Sequence, residues 1–202
     1  MSDEFQVVRA HPLLTEYVDD LQTKNSESLS FYPRQVFERE VEIGRIFLGL
    51  LNGEPCGYIY VGSNAKQDVR CHQVCIEYDA RRRLYGAALV VAMEDYAQEG
   101  NALSISLRCG FDLEANDFWH SMGYGCIATQ EGGARRGRTI NVWRKQLQET
   151  LFGDFIEPAI GSASQGAWKR HWKKHGSTGI LTQFHRGDTL REYRATIMED
   201  DS

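Results

Sequence analysis

Between Val69 and Leu107 the chain reads as strand, helix and strand in close succession. Val69 to Tyr78 is extended in character, and Asp79 marks its end. From Arg82 to Glu99 the pattern turns helical: Leu84, Ala88, Leu89, Ala92, Met93 and Tyr96 share one face, and Gly100 terminates the run. Leu103-Ser-Ile-Ser-Leu107 then alternates as a half-buried strand. Two strands joined through such a helix are expected side by side as a parallel, right-handed pair. This unit dictates an α/β sheet, and every other element has to be added around it.

Upstream, Phe5 to Ala10 is a first strand, broken by His11-Pro12. Leu13, Leu14, Tyr17, Val18 and Leu21 have the spacing of an amphipathic helix, and Asn25 to Ser30 is polar loop. Pro33 opens a second helix with a less regular apolar face (Val36, Phe37, Val41, Ile43), ended by Gly44. Ile46–Leu51 and Cys56–Val61 flank Asn52-Gly53, the strongest short hairpin signal, and lead into the strand at Val69 as a meander. Downstream, Leu113 to Met122 is a short helix stopped by Gly123. Cys126–Thr129 and Thr139–Trp143 form a last antiparallel pair around the Gly- and Arg-rich loop Glu131–Arg138. The expected fold is an α/β sheet of mixed sense flanked by helices, with no internal repeat.

At 202 residues the chain suits one ordinary domain plus an appendage, whereas two full domains would be tight. Hydrophobic residues at 42% and charged residues at 25% exclude whole-chain disorder. No apolar run approaches the roughly 18 residues of a membrane span, so no membrane partner is expected. The polar opening Met1-Ser-Asp-Glu-Phe5 has no signal-peptide character, and a cytoplasmic location is expected. The five cysteines (Cys56, Cys71, Cys75, Cys109, Cys126) form no CxxC pair, and Cys71 and Cys75 lack a second ligand pair, so no metal site is expected. Most read as small buried hydrophobes of a reducing compartment. A net charge of −5 exerts no overall pull on nucleic acid.

Chemistry concentrates where the first strand of the parallel unit runs into its helix, at Val74-Cys-Ile-Glu-Tyr-Asp-Ala-Arg-Arg-Arg-Leu-Tyr-Gly-Ala-Ala-Leu89. Such a junction presents unpaired backbone N–H groups at the positive end of a helix dipole. A pyrophosphate can bind there, with Gly86 and Ala88 leaving the backbone accessible. Arg81, Arg82 and Arg83 oppose the dipole and are costly without an anion; the alternative is a basic, solvated helix start.

Arg83-Leu-Tyr-Gly-Ala-Ala88 resembles the acyl-CoA motif of the GNAT superfamily of acetyl-CoA-dependent N-acyltransferases: Arg or Gln, any two residues, Gly, any one, then Gly or Ala. It stands after a meander and between a strand and an amphipathic helix. Asp112-Leu-Glu-Ala-Asn-Asp-Phe-Trp-His-Ser-Met-Gly-Tyr124 resembles the second GNAT signature, where an Ala-bearing helix ends in an aromatic pair, three residues, Gly and an aromatic. The resemblance covers about residues 5–147. It implies a GNAT-type mixed central β-sheet flanked by helices, with an N-acetyltransferase domain over residues 1–147 and a C-terminal extension over 148–202.

The resemblance further implies transfer of an acetyl group from acetyl-CoA, as cosubstrate, to a primary amine by direct attack, in the cleft where the fourth and fifth strands part. Ile76 and Tyr78 would offer backbone groups to the pantetheine arm and the acyl carbonyl. Leu84, Tyr85, Gly86, Ala87 and Ala88 would cradle the pyrophosphate through backbone N–H groups, with Arg81, Arg82 or Arg83 adding charge. Asn116 and Trp119 would approach the thiol end. Two positions depart from the family pattern. Trp119 stands where many members have a tyrosine that returns a proton to the thiolate, which indole cannot do, and Asp112 stands where Asn is common.

An attacking ammonium needs a general base that titrates near neutrality. His72, six residues before Tyr78, stands where some members carry a glutamate base, and imidazole suits the task. The alternative is a strand histidine hydrogen-bonded in the sheet. Glu77 is the rival base. On a regular strand the two point to opposite faces, an objection that a β-bulge would lift. Tyr124 and Tyr85 are the remaining phenols that could act as acid.

Arg135-Arg136-Gly137-Arg138 could bind an acidic or phosphate-bearing acceptor, or be a solvated loop tip. Trp168-Lys-Arg-His-Trp-Lys-Lys-His175 interleaves cations with aromatics, which fits nucleic-acid binding. It fits equally a helix whose Trp168 and Trp172 dock on a core. Rival readings are an acyl-CoA-dependent modifier of nucleic-acid or nucleotide amines, and a non-catalytic acyl-CoA- or nucleic-acid-binding protein. The sequence does not identify the acceptor and leaves a possible homodimer open.

Overall fold

Antiparallel strands are laid down on both sides of the parallel unit. The computed structural model describes residues 4–63, 67–132 and 137–147, and the backbone of Gln183–His185. Its strands are β1 (Glu4–Arg9), β2 (Ile46–Leu51), β3 (Glu54–Val61), β4 (Asp68–Ile76), β5 (Ser104–Gly110), β6 (Gly125–Glu131), β7 (Thr139–Gln146) and a short β8 (Gln183–His185). The helices are α1 (Thr15–Lys24), α2 (Arg34–Glu42), α3 (Tyr85–Glu99) and α4 (Ala115–Ser121). The sheet order is β6-β7-β5-β4-β3-β2-β1-β8. Among the described residues β4 and β5 pair parallel, and all other neighbours pair antiparallel. Asn52 and Gly53 take φ of 53° and 86°, as a two-residue hairpin turn between β2 and β3 requires.

At the junction of β4 and α3 two boundaries differ from the sequence reading. Helix α3 starts at Tyr85 rather than Arg82, because Arg82 and Leu84 hold left-handed φ of 62° and 67°, which a right-handed helix excludes. Strand β4 ends at Ile76 rather than Tyr78, because Tyr78–Ala80 closes into a single 3-10 turn. Both differences lengthen the loop between strand and helix.

Each face of the sheet carries its own core. Helices α3 and α4 cover one face, where Ile59, Val61, Val69, Leu89, Met93 and Ile105 are fully buried. Helices α1 and α2 cover the other, with Val18, Phe37, Ile46, Leu48 and Tyr58 fully buried. This second cover lies over β2, β3 and the upper part of β4. A bulge in β4 swaps its faces: Tyr60 pairs with Gln73 while Val61 pairs with Cys71, so His72 has no opposite residue on β3. Val69 and Cys71 therefore lie in the α3-side core, whereas Cys75 lies in the α1–α2 side.

A buried ion pair joins helix α3 to strand β7. Glu94 of α3 is fully buried, and the Lys145 ammonium of β7 lies 2.7 Å from each of its carboxylate oxygens. Lys145 also donates to the Met122 carbonyl at 3.2 Å, and the Tyr124 hydroxyl donates to Glu94 Oε1 at 3.1 Å. Burial pushes the Glu94 carboxyl up, and Lys145 and Tyr124 pull it back. Removing one partner of such a pair strands the other away from water. Glu94→Leu is expected to lower the unfolding free energy by about 3–5 kcal/mol, and Glu94→Leu with Lys145→Met to recover most of it. Urea unfolding measures both, and a single-variant loss below about 1 kcal/mol would show that the pair does not hold these elements together.

Candidate active site

Strands β4 and β5 are paired only from Asp68 with Ser104 to Cys71 with Leu107. Beyond that point β4 follows β3 alone, as far as Ile76 opposite Gly57, while β5 follows β7, as far as Gly110 opposite Ile140. The sheet thus splits, and backbone groups on the inner edges of the split lose their strand partner. Helix α3 begins close to the upper end of β4: a Cβ on Gly86 would sit 3.7 Å from Ile76 and 3.7 Å from Phe118 of α4. These are ordinary contact distances, so Gly86 faces a gap between β4, α3 and α4.

The loop entering α3 is strained. Two non-glycine residues, Arg82 and Leu84, hold left-handed φ within three positions, at a cost of about 1–3 kcal/mol each. Leu84, the N-cap, makes no side-chain capping bond, and its carbonyl accepts from the amides of Ala87 and Ala88. The amides ahead of them in the first turn point out of the helix end, toward where an anion is stabilised. Ala87 and Ala88 are buried against the sheet and bring no bulk to this end.

The three arginines before the helix differ in their engagements. Arg81 donates to the Ile76 carbonyl at 3.1 Å and to Asn25 Oδ1 at 2.7 Å, and lies over the Tyr78 ring. It ties the loop to the end of α1. Arg82 pairs with Glu114 at 3.2 Å in full solvent, while Arg83 is half-buried. The Ile76 carbonyl is thus already used, and Tyr78 is 81% exposed on the 3-10 turn.

Several other sequence candidates sit elsewhere than the pattern suggests. Tyr85 is buried with its ring stacked on Phe5 at 4.2 Å, so only its backbone is at the helix end. Tyr124 is fully buried on Glu94, and burial pushes its phenol well above the usual range. Trp119 is packed edge-on against Phe118 and Tyr124 in the core. Asn116 is an internal clamp: its amide donates to the carbonyls of Gly110 and Leu113 at 2.7 Å, and its oxygen accepts from Asn141 and from the Trp143 indole at 3.0 Å. Phe118, the first of the aromatic pair, is the one beside Gly86. A helix register of 100° per residue separates the two aromatics, and the sequence pattern alone did not say which would turn inward.

His72 and Glu77 both face the α1–α2 side, because the bulge removes the parity that would have opposed them. Burial pushes the Cys56 thiol up to about 12 with help from the Glu77 charge, and the same two causes raise Tyr17 of α1. The His72 ring stacks on Tyr60 at 4.6 Å, and Nδ1 is hydrogen-bonded to the Tyr32 hydroxyl at 2.9 Å. Nε2 is turned against Gly62, where a Cβ would come within 2.7 Å of it. Burial and then the Arg70 charge hold the imidazole below its ordinary pKa, partly offset by Glu40, with Arg45 lowering it further.

Tyr32 was not found from sequence, since nothing local marks a loop tyrosine 40 positions from its partner. It is fixed by two glutamines. Gln22 of α1 accepts from the Tyr32 amide at 2.8 Å and donates to its carbonyl at 3.0 Å. Gln73, beside the bulge, donates to Gln22 at 2.8 Å and accepts from Tyr58 at 2.8 Å.

Beyond the end of β5 and the start of β7 lies an open cleft of about 640 Å³ lined by Ser26, Glu27, Phe111, Asp112, Arg138 and Thr139. Arg138 spans it, reaching Asp112 at 3.0 Å and the Glu27 carbonyl at 3.0 Å. Its side chain crosses so close to Gly110 that a Cβ there would lie 2.7 Å from Arg138 Cδ. Arg135, Arg136 and Trp168–His175 lie outside the described residues. Among the described residues no cluster of histidine, cysteine or carboxylate groups could hold a metal, and no helix is long and apolar enough to cross a membrane.

The profile of the acetyltransferase (GNAT) family matches residues 11–124. No curated protein matches the sequence. Among solved structures, Ard1 from Thermoplasma volcanium superposes with a TM-score of 0.65 at 19% identity, over 72% of this chain and 99% of that one. The yncA protein from Salmonella typhimurium, solved with its cofactor acetyl-CoA, gives 0.63 at 14% identity, over 75% and 98%. A ribosomal-protein-alanine N-acetyltransferase from Brucella melitensis gives 0.60 at 14% identity, over 69% and 98%. At these identities the likeness is one of fold.

Proposed function

Because the chain belongs to the GNAT acetyltransferase family, we propose that residues 1–147 form its catalytic domain and transfer an acetyl group from acetyl-CoA to a primary amine, with 148–202 as an extension. The observation that carries this reading is the split between β4 and β5, set beside a strained loop and an open helix end. Acetyl-CoA, when bound, supplies the thioester. The amides at the start of α3, from Leu84 to Gly86, hold its pyrophosphate, with Ala87 and Ala88 closing the first turn behind them, Gly86 leaving the approach clear and Arg83 adding charge. The unpaired inner edge of β4 near Ile76 and Tyr78 orients the pantetheine arm and polarises the acyl carbonyl. Asn116 and Trp119 act on this end indirectly, by fixing the β5–α4 loop and Phe118.

His72 takes the proton of the attacking ammonium, and does so through the Tyr32 hydroxyl. Two features support this route: Nδ1 faces Tyr32, and Nε2 lies on the other side of the ring, beside Gly62. The imidazole is held neutral at pH 7, so it is ready to accept. Glu77 is the alternative base at the end of the same strand.

Two measurements test the reading. Gly86→Ala should keep acetyl-CoA affinity within a few-fold, since its Cβ meets only ordinary contacts. Gly86→Glu should weaken binding by about 10-fold or more, through bulk and charge at the phosphate approach. Equal affinity of the Glu variant in calorimetry would place the pyrophosphate elsewhere.

His72→Ala and Tyr32→Phe should each lower kcat by about 10²–10⁴-fold with little change in acetyl-CoA affinity, and the double variant should be no worse than the single ones. In the unaltered protein kcat should rise with pH through a pKa below 6.5, because the neutral imidazole is the active form and burial and Arg70 lower its pKa. A pH–rate profile that keeps this limb in His72→Ala would move the role to Glu77 or to solvent.

A further inference from the structure

The face of the sheet that α1 and α2 leave uncovered carries a pattern of charge that the transfer chemistry does not use. Leu107 and Cys109 of β5 are buried in the α3-side core, so Ser106 and Arg108 face the opposite way. Ser106 lies between Arg70 of β4 and Arg144 of β7 in register, and Arg108 is the first residue of β5 beyond the split. His72, the first residue of β4 beyond the split, faces the same side.

The acid on this face is already committed. Asp68 accepts from Ser104 and Ser106 at 2.6 Å each and pairs with Arg144 at 3.5 Å. Arg144 keeps its Nε buried without a hydrogen-bond partner. Arg70 and Arg108 pair with no carboxylate among the described residues. Arg108 is exposed and Arg70 half-buried, and Arg70 is near enough that its charge adds to the lowering of His72 by burial and partly offsets the raising of Tyr32 by burial. Two unpaired guanidinium groups therefore flank the point where an amine must arrive.

We propose that the acceptor is a small primary amine that also carries a carboxylate or a phosphate, and that Arg70 and Arg108 hold this anionic group on the open sheet face. The inference rests on the acetyl-transfer reading of the same cleft. Guanidinium groups give charge-assisted, often bidentate bonds to either anion. Neighbouring strands lie about 4.8 Å apart and same-face residues along a strand about 6.6 Å apart. An anion on Arg70 and Arg108 would thus stand only a few bonds from an amine beside His72 and Tyr32. Among the described residues this face offers two unpaired guanidinium groups, which suits a single anionic group.

Matched probes test the charge requirement: γ-aminobutyrate against butylamine, and phosphoethanolamine against ethanolamine. Each is titrated into protein saturated with CoA and assayed with acetyl-CoA for thiol release. At least one anionic member should bind, and be acetylated with kcat/KM, about 10-fold or more better than its neutral match. The margin should shrink as salt is raised. Which pair shows the larger margin distinguishes carboxylate from phosphate. In Arg108→Gln and Arg70→Gln the margin should collapse toward unity, while acetyl-CoA affinity checks that the variants are folded. Equal binding within both pairs, a margin that survives both variants, or binding of an acidic peptide in preference to both small anions would overturn the inference. Failure of acetyl-CoA itself to bind would instead overturn the transfer reading on which it rests.

Discussion

Everything at this site depends on a pairing that stops. Four residue pairs of parallel ladder join β4 to β5, and then the strands part. A buried backbone amide or carbonyl without a partner is costly, so a sheet that opens in its middle has to be held open and its inner edges supplied from elsewhere. The holding is done from both faces and from the far side. Helix α3 packs across β2, β3 and β4, the Asn116 clamp draws the β5–α4 loop onto β7, and the Glu94–Lys145 pair joins α3 to β7 across the gap. In the proposed reading the supply comes from the cofactor, which would make a split sheet beside an open helix end a ligand site and not a defect.

The strain at Arg82 and Leu84 belongs to the same logic. Left-handed residues without glycine persist only where the surroundings enforce them. Here Arg81 anchors the loop to Ile76 and to Asn25, and α3 is locked by its buried apolar face. The loop is thereby kept from winding into one more helical turn, which would point the first free amides away from the cleft.

Features set by local periodicity were legible in the sequence. The Asn52-Gly53 hairpin and the parallel unit rest on short-range chemistry, and both appear where the residues place them. What stayed hidden depended on partners distant in the chain. The helix start could not be read, since Arg82 to Leu84 look helical until tertiary contacts impose positive φ. The bulge at His72 is an option the sequence leaves open, because one extra residue in a strand leaves no mark in composition. Asn116, Trp119 and Tyr124 have the residue types of a site, yet two neighbouring strands and a buried glutamate claim them. Arg70 and Arg108 drew no notice as isolated charges, and acquire meaning only when register sets them on either side of the split.

The two glutamines that bracket the bulge have a kinetic consequence. Gln22 grips both backbone groups of Tyr32, and Gln73 grips Gln22, so the segment between α1 and α2 is fastened to the central strand from within. A wall fastened in this way is already shaped before an acceptor meets it. Under the transfer reading, an acceptor meets this wall already formed, and discrimination among acceptors is exercised there on arrival, by fit to a standing surface.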